Sequence, residues 1–183
     1  MSSKVLSLPT LDKLKAAVPE SASAPDIARQ WLTAFTEAKD SAVIQDLFLE
    51  DAFWRDIVAL TSDIRTLHGW QSIKSLLDAR QSFIGSPSLH NAAHNQPTIA
   101  NMFPDFTILQ FSFGFQTPIG EATGIVRLVP GSDNKWRAYT VFTTLDTLKN
   151  HVEKVGVNRE TTPVIEPWEA VEGVKSSSLI EIQ

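Results

Sequence analysis

The chain of 183 residues has no cysteine and a single tyrosine, Tyr139. Without cysteine there are no disulfides, no thiol nucleophile and no thiolate ligands for a metal. No stretch approaches the about 18 consecutive apolar residues that a membrane-spanning helix needs. The opening residues, MSSKVLSLPTLDKLKAAV, lack the continuous apolar run of a signal peptide. A soluble, cytoplasmic protein without a membrane partner is therefore expected. Nucleic acid is not an expected partner either, because the net charge is −5 and no lysine or arginine cluster is present to neutralise phosphates. The GxSxG elbow, the HExxH zinc motif, the phosphate-binding glycine loop and the dinucleotide GxGxxG are all missing. No cofactor is expected. His90 and His94 are four apart, but Pro97 and the surrounding asparagines speak against the helix that would align them on a metal.

Apolar residues make up 43% of the chain and include ten phenylalanines and five tryptophans, enough for one folded body that buries about two thirds of its unfolded surface. Residues 1–22 read as an arm, with Leu8, Leu11 and Leu14 able to lie along one side and dock. A helix is predicted from Ala24 to Lys39: Pro25 suits its first turn, Asp26 its positive end, and Ile27, Trp31, Phe35 and Ala38 form one apolar stripe. A second helix is predicted over 42–49 and a third from about Trp70 to Phe83, where Ile73, Leu76, Leu77 and Arg80 lie toward one side. Three long strands follow, 106–117, 121–129 and 136–145, joined by short turns as an antiparallel meander. The alternation puts Leu109, Phe111, Phe113 and Phe115 on one face and Gln110, Ser112 and Gln116 on the other. In the last strand it puts Trp136, Ala138, Thr140 and Phe142 opposite Arg137, Tyr139, Val141 and Thr143. Both faces are mixed in character, which suggests a curved sheet bent at Gly114 and Gly124. Residues 148–155 read as a short helix. Beyond them, residues 156–183 carry Val164, Ile165, Trp168 and Val171 and read as an extension that packs on the body or on a partner subunit.

The run LFLEDAFWRD, from Leu47 to Asp56, combines two large aromatics with adjacent opposite charges. It reads either as a strand entering the core with a structural ion pair or as the wall of a cavity. In a strand Trp54 and Asp56 share a face and Arg55 points away. Proton transfer needs an ionisable group in a poorly hydrated cleft, which makes Asp56 the candidate acid or base. His68 and Tyr139 are candidate assistants. Trp54, Arg65, Gln110, Ser112, Gln116, Arg127 and Phe142 are candidates to line a substrate site for a small apolar molecule.

The Trp-containing first helix, LFLEDAFWRD, ALTSDIRTLHG and the closing GEATGIVRLVP and KWRAYTVFTTLDTLKNHVEK together resemble the SnoaL-like branch of the nuclear transport factor 2-like superfamily. They look most like the domain that precedes the nucleotide-binding part of flavin-containing monooxygenase-like proteins. The resemblance spans about Ile27 to Val155. It implies an α+β, cone-shaped fold, with three N-terminal helices on a strongly curved, mostly antiparallel sheet, a deep pocket and often a homodimer through the sheet. Its relatives include cyclases, dehydratases and isomerases of natural-product pathways as well as catalytically silent binding modules. Two functions are thus expected of residues 23–155. One is a cofactor-independent lyase or isomerase that uses Asp56. The other is a non-catalytic module that binds a small molecule or dimerises. In the second, Arg55 and Asp56 pair with the protein body and the cavity is apolar or filled.

Overall fold

The computed structural model describes residue 18 and residues 21–38, 41–103, 106–151 and 153–159. The proposed arm around Leu6 to Leu14 and the apolar residues Val164, Ile165, Trp168 and Val171 lie outside them. The chain divides into two units after His151. Of the second, the described part contains one 3-10 turn, Gly156–Asn158.

In the first unit, α1 (Ala24–Glu37) starts with proline in its first turn and buries Ala28, Trp31, Leu32 and Phe35. The stripe read from the sequence is thus the face that packs inward. Trp31 stacks on Phe35 at 5.2 Å, and its indole N–H donates to the Leu47 carbonyl at 3.1 Å. That bond satisfies a carbonyl at the end of α2 (Ser41–Leu47), which otherwise lacks a helical partner. The chain then passes directly into β1 (Phe48–Ile57), two residues earlier than the predicted end of the helix. β2 (Ile64–His68) returns antiparallel, and Gly69, at φ 82°, turns the chain into α3 (Trp70–Arg80). Only glycine adopts that backbone region without strain. The predicted third helix ends as α-helix at Arg80 and tightens into a 3-10 turn over Gln81–Phe83. The Gln81 side chain donates to the Ala38 carbonyl at 2.7 Å and so ties this turn to the end of α1.

The remaining strands are β3 (Gly85–Leu89), β4 (Thr98–Phe103), β5 (Phe106–Gln116), β6 (Gly120–Pro130) and β7 (Trp136–Leu148). The sheet order is β2-β1-β7-β6-β5-β3, with β4 also paired to β5. β1 and β7 are parallel and the other pairs antiparallel, so the sheet is mixed. The predicted meander of β5, β6 and β7 is present. Helices pack on one face around Trp31, Phe35, Phe48, Trp54, Phe111 and Phe113, which are all buried. A surface ion pair of Asp46 with Lys135 links α2 to the loop between β6 and β7, and one of Asp133 with Arg137 ties that loop to β7.

Three expectations are corrected. The fold is α+β with three helices among the described residues, but the sheet is open and is not strongly curled into a cone, since its path ends at β2 and β3. The β5–β6 register runs unbroken from Leu109↔Leu128 to Gln116↔Glu121, straight through the two glycines expected to bend it. Gly124 instead makes room for a ring: a Cβ there would lie 2.3 Å from two carbons of Phe113. The second correction is the alternation of β7. Arg127 pairs with Thr140 and Leu128 with Ala138, so Tyr139 is the extra residue of a bulge. Ala138, Val141 and Thr143 are consequently all buried. Third, none of the described residues of 148–155 is helical: β7 continues to Leu148, and the Lys149 N–H donates to the Ile119 carbonyl at 2.8 Å.

Candidate functional site

Asp56 sits at the end of β1, 1% exposed, with Trp54 on the same face and fully buried. Its carboxylate is occupied by the protein itself. The Leu60 N–H reaches both oxygens at 3.2 and 3.1 Å, and the Thr61 N–H reaches Oδ2 at 2.9 Å. The Thr61 hydroxyl donates to Oδ2 at 2.8 Å and the Thr143 hydroxyl to Oδ1 at 2.7 Å. Four donor groups match the roughly four lone-pair sites of a carboxylate. Thr143 in turn accepts from the Trp54 indole N–H at 2.9 Å. This chain of bonds joins β1, β7 and the loop between β1 and β2. Trp54 was expected on a pocket face; its ring instead packs in the core, 6.1 Å from both Phe35 and Phe48.

Arg55 points the other way, as the strand register requires, and donates to the Thr66 hydroxyl at 2.9 Å. The other candidates do not converge on Asp56. His68 is exposed on β2 and stacks on Phe53 at 4.4 Å. Tyr139 meets the edge of the same Phe53 at 6.4 Å. Burial, and then the nearby Asp51 charge, pushes the Tyr139 phenol above its ordinary pKa, so it is protonated near neutral pH. Gln110 accepts from Arg127 at 2.8 Å, and Gln116 donates to Glu121 at 3.1 Å. Ser112 lies 3.1 Å from the His90 ring, and Phe142 pairs across strands with Arg55 and Ile125. These residues alternate with the buried ones of β5, β6 and β7 and therefore share the sheet face opposite the helices. Arg65 is exposed and bonded to Asp63 at 2.8 Å. The candidates fall on two sides of one sheet.

The loop that Asp56 holds forms part of a depression of about 230 Å³. Val58, Ala59, Leu60, Thr61 and Ser62 line it together with Arg80, Phe83, Pro118 and Ile119. Val58 has φ 50°, a strained value for a β-branched residue, maintained between Asp56 and its bonds to Leu60 and Thr61. On the facing side, the turn after β5 is fixed by Thr117, whose hydroxyl accepts from the Gly120 N–H at 3.0 Å. Lys149 donates to the Thr117 carbonyl at 2.8 Å and completes that support. Ile119 is left 53% exposed at the rim. Sequence reading missed this site because its walls come from a loop, a turn and the end of a helix, none with apolar periodicity. Arg80 gave no signal either, since an exposed arginine in the last turn of a helix is ordinary. Larger grooves lie elsewhere among the described residues. One, of about 480 Å³, runs between α1 and β3. Another, of about 430 Å³, lies beside Trp31, Val43 and Trp136.

No helix among the described residues is long and apolar enough to cross a membrane. No family model and no curated protein matches the sequence. Solved structures do match. A chain of the yeast deubiquitinase Ubp3 and Bre5 cofactor complex is similar at 12% identity and a TM-score of 0.51, over 69% of this chain and 99% of that one. A ketosteroid isomerase-like protein from Erwinia carotovora atroseptica is similar at 12% identity and a TM-score of 0.49, over 71% of this chain and 99% of its own. A nuclear transport factor 2-like superfamily protein from Salmonella enterica serovar Typhimurium has 14% identity and a TM-score of 0.46, over 74% and 93%. Identities of this size speak to architecture alone. The three helices among the described residues, laid on one face of an open mixed sheet, give this chain an α+β fold similar to that of the chain from the yeast complex.

Proposed function

We propose that the chain is a small-molecule-binding module whose ligand occupies the depression beside the β1–β2 loop, with Asp56 as the carboxylate that shapes the loop. The occupation of Asp56 carries this reading. A cyclase, isomerase or dehydratase working by acid/base chemistry needs a carboxylate with a lone pair in reach of a substrate proton. The lone pairs of Asp56 are taken by Leu60, Thr61 and Thr143. The depression is predominantly apolar and adjoins a loop of fixed shape, the combination that favours a small apolar ligand. The test is an amide chemical-shift titration with benzyl alcohol as the probe. Shifts confined to Leu60, Ser62 and Ile119 support the reading. Shifts confined to Gln110, Ser112 and Arg127, across the sheet, would overturn it.

A second reading is dimerisation through the sheet face that carries Phe53, His68, Tyr139 and Phe142. Its support is the contiguous aromatic row in which Phe106 and Phe53 each meet Tyr139 edge-on at 6.4 Å. Sedimentation across a hundredfold range of concentration, on the order of the span that separates weak from stable pairs, tests it. A monomer throughout rules the dimer out.

A further inference from the structure

We propose that the depression selects a short carboxylate, with Arg80 as the group that reads its charge; this rests on the small-molecule reading above. Arg80 occupies the last turn of α3, and its guanidinium lies 4.9 Å from the Phe83 ring centroid. That contact is to the ring, and no hydrogen-bond acceptor engages the guanidinium among the described residues. Several other cations of the first unit have oxygen partners. Arg29, Arg65, Lys74, Lys135 and Arg137 meet carboxylates, and Arg55 and Arg127 meet side-chain oxygens. Among the described residues Arg80 has its ring contact and no carboxylate at ion-pair distance.

The rest of the lining decides what Arg80 can face. Val58, Ala59, Leu60, Phe83, Pro118 and Ile119 are apolar, the Thr61 hydroxyl is engaged by Asp56 and the Asp63 carbonyl, and Ser62 adds one neutral hydroxyl at the exposed edge. One cation in an apolar wall is complementary to one anionic group on an apolar body. A planar fork of N–H donors matches a carboxylate through two parallel bonds, whereas a dianionic phosphate would call for a second cation. Size narrows the class further. At about 230 Å³ the space falls below the roughly 300–1,000 Å³ of drug-sized sites and equals about eight water volumes. A single-ring aryl acid or a short alkyl acid fits. The strained Val58 and the bonds from Leu60 and Thr61 to Asp56 set the wall before the ligand arrives, which lowers the ordering cost of binding.

Chemical-shift titrations of the native protein and of Arg80→Gln with benzoate, benzyl alcohol and benzylamine test the proposal. Arg80 is exposed at a helix end, and an unchanged circular dichroism spectrum verifies the fold of the variant. Benzoate is expected to shift the amides of Leu60, Thr61, Ser62 and Ile119 in the native protein and to bind more tightly than benzyl alcohol. Arg80→Gln should weaken benzoate by about threefold to fivefold, the upper range for an exposed ion pair. Benzyl alcohol should change by less than about twofold, since it carries no charge for Arg80 to read. If benzyl alcohol binds native protein at these amides as tightly as benzoate, or benzoate is indifferent to Arg80→Gln, the carboxylate proposal is wrong and the apolar site stands. Preferential binding of benzylamine would likewise overturn the proposal. If none of the three probes shifts these amides, the small-molecule reading falls with it.

Discussion

Thr143 is the residue through which two buried polar side chains of different character are reconciled. It accepts from the Trp54 indole and donates to Asp56, so neither group is left without a partner in the core. Thr143→Val keeps the shape and removes both bonds. Unpaired buried groups of this kind cost about 1–3 kcal/mol, and a urea unfolding curve should show a loss of that size. Tyr139 allows a second check at the same scale, because as the only tyrosine it is the only source of phenolate absorbance. Its folded pKa is raised, first by burial and then by Asp51, above the ordinary tyrosine value of 10.0. Folding therefore favours the protonated phenol. The associated stability is fully present below the unfolded pKa and is lost as pH rises through the folded one. A spectrophotometric titration should place the native midpoint above that of the urea-unfolded chain. Asp51→Asn should lower the native midpoint only in part, since burial is the larger cause. Coincident native and unfolded midpoints would show that the ring is solvated.

Among the elements, β5 and β6 show how one small residue can have a different use from the one its sequence context suggests. The Phe113 ring fills the space over Gly124, 2.3 Å from where a Cβ would stand. Gly124→Ala should cost about 1–3 kcal/mol by overpacking, and Phe113→Leu in the same chain should recover part of that loss. Thermal unfolding of the three variants measures this; additive losses would contradict it. The helices and the meander were legible because Ile27, Trp31 and Phe35, or Phe111, Phe113 and Phe115, repeat at the period of their own element. The face assignment of Trp54, Arg55 and Asp56 was legible for the same reason. Curvature was not, since a glycine in a strand has no pattern to distinguish a bend from a ring contact on the next strand. β3, with the sequence GSPSL, was hidden by residues that ordinarily mark a turn. The bulge at Tyr139 was equally hidden, because it exists only in the pairing of β7 with β6.

For the molecule as a whole, the sheet separates two sets of polar groups that looked like one site in the linear chain. Gln110, Ser112, Gln116 and Arg127 lie on the face away from the helices, while Asp56 and Trp54 lie beneath them. Placement of candidates on one side or the other depends on pairings such as Trp54↔Val141 and Asp56↔Thr143, nearly ninety residues apart. Asp56 fastens β1, β7 and the β1–β2 loop, and the loop then walls the depression. Urea unfolding of Asp56→Asn, followed by a benzyl alcohol titration well below the unfolding midpoint, is the most direct test. The account predicts a loss of about 1–3 kcal/mol at unchanged m-value, from donors that meet an amide in place of a carboxylate. It also predicts weaker binding of the probe through a loosened loop. Native stability and native binding in Asp56→Asn would contradict it.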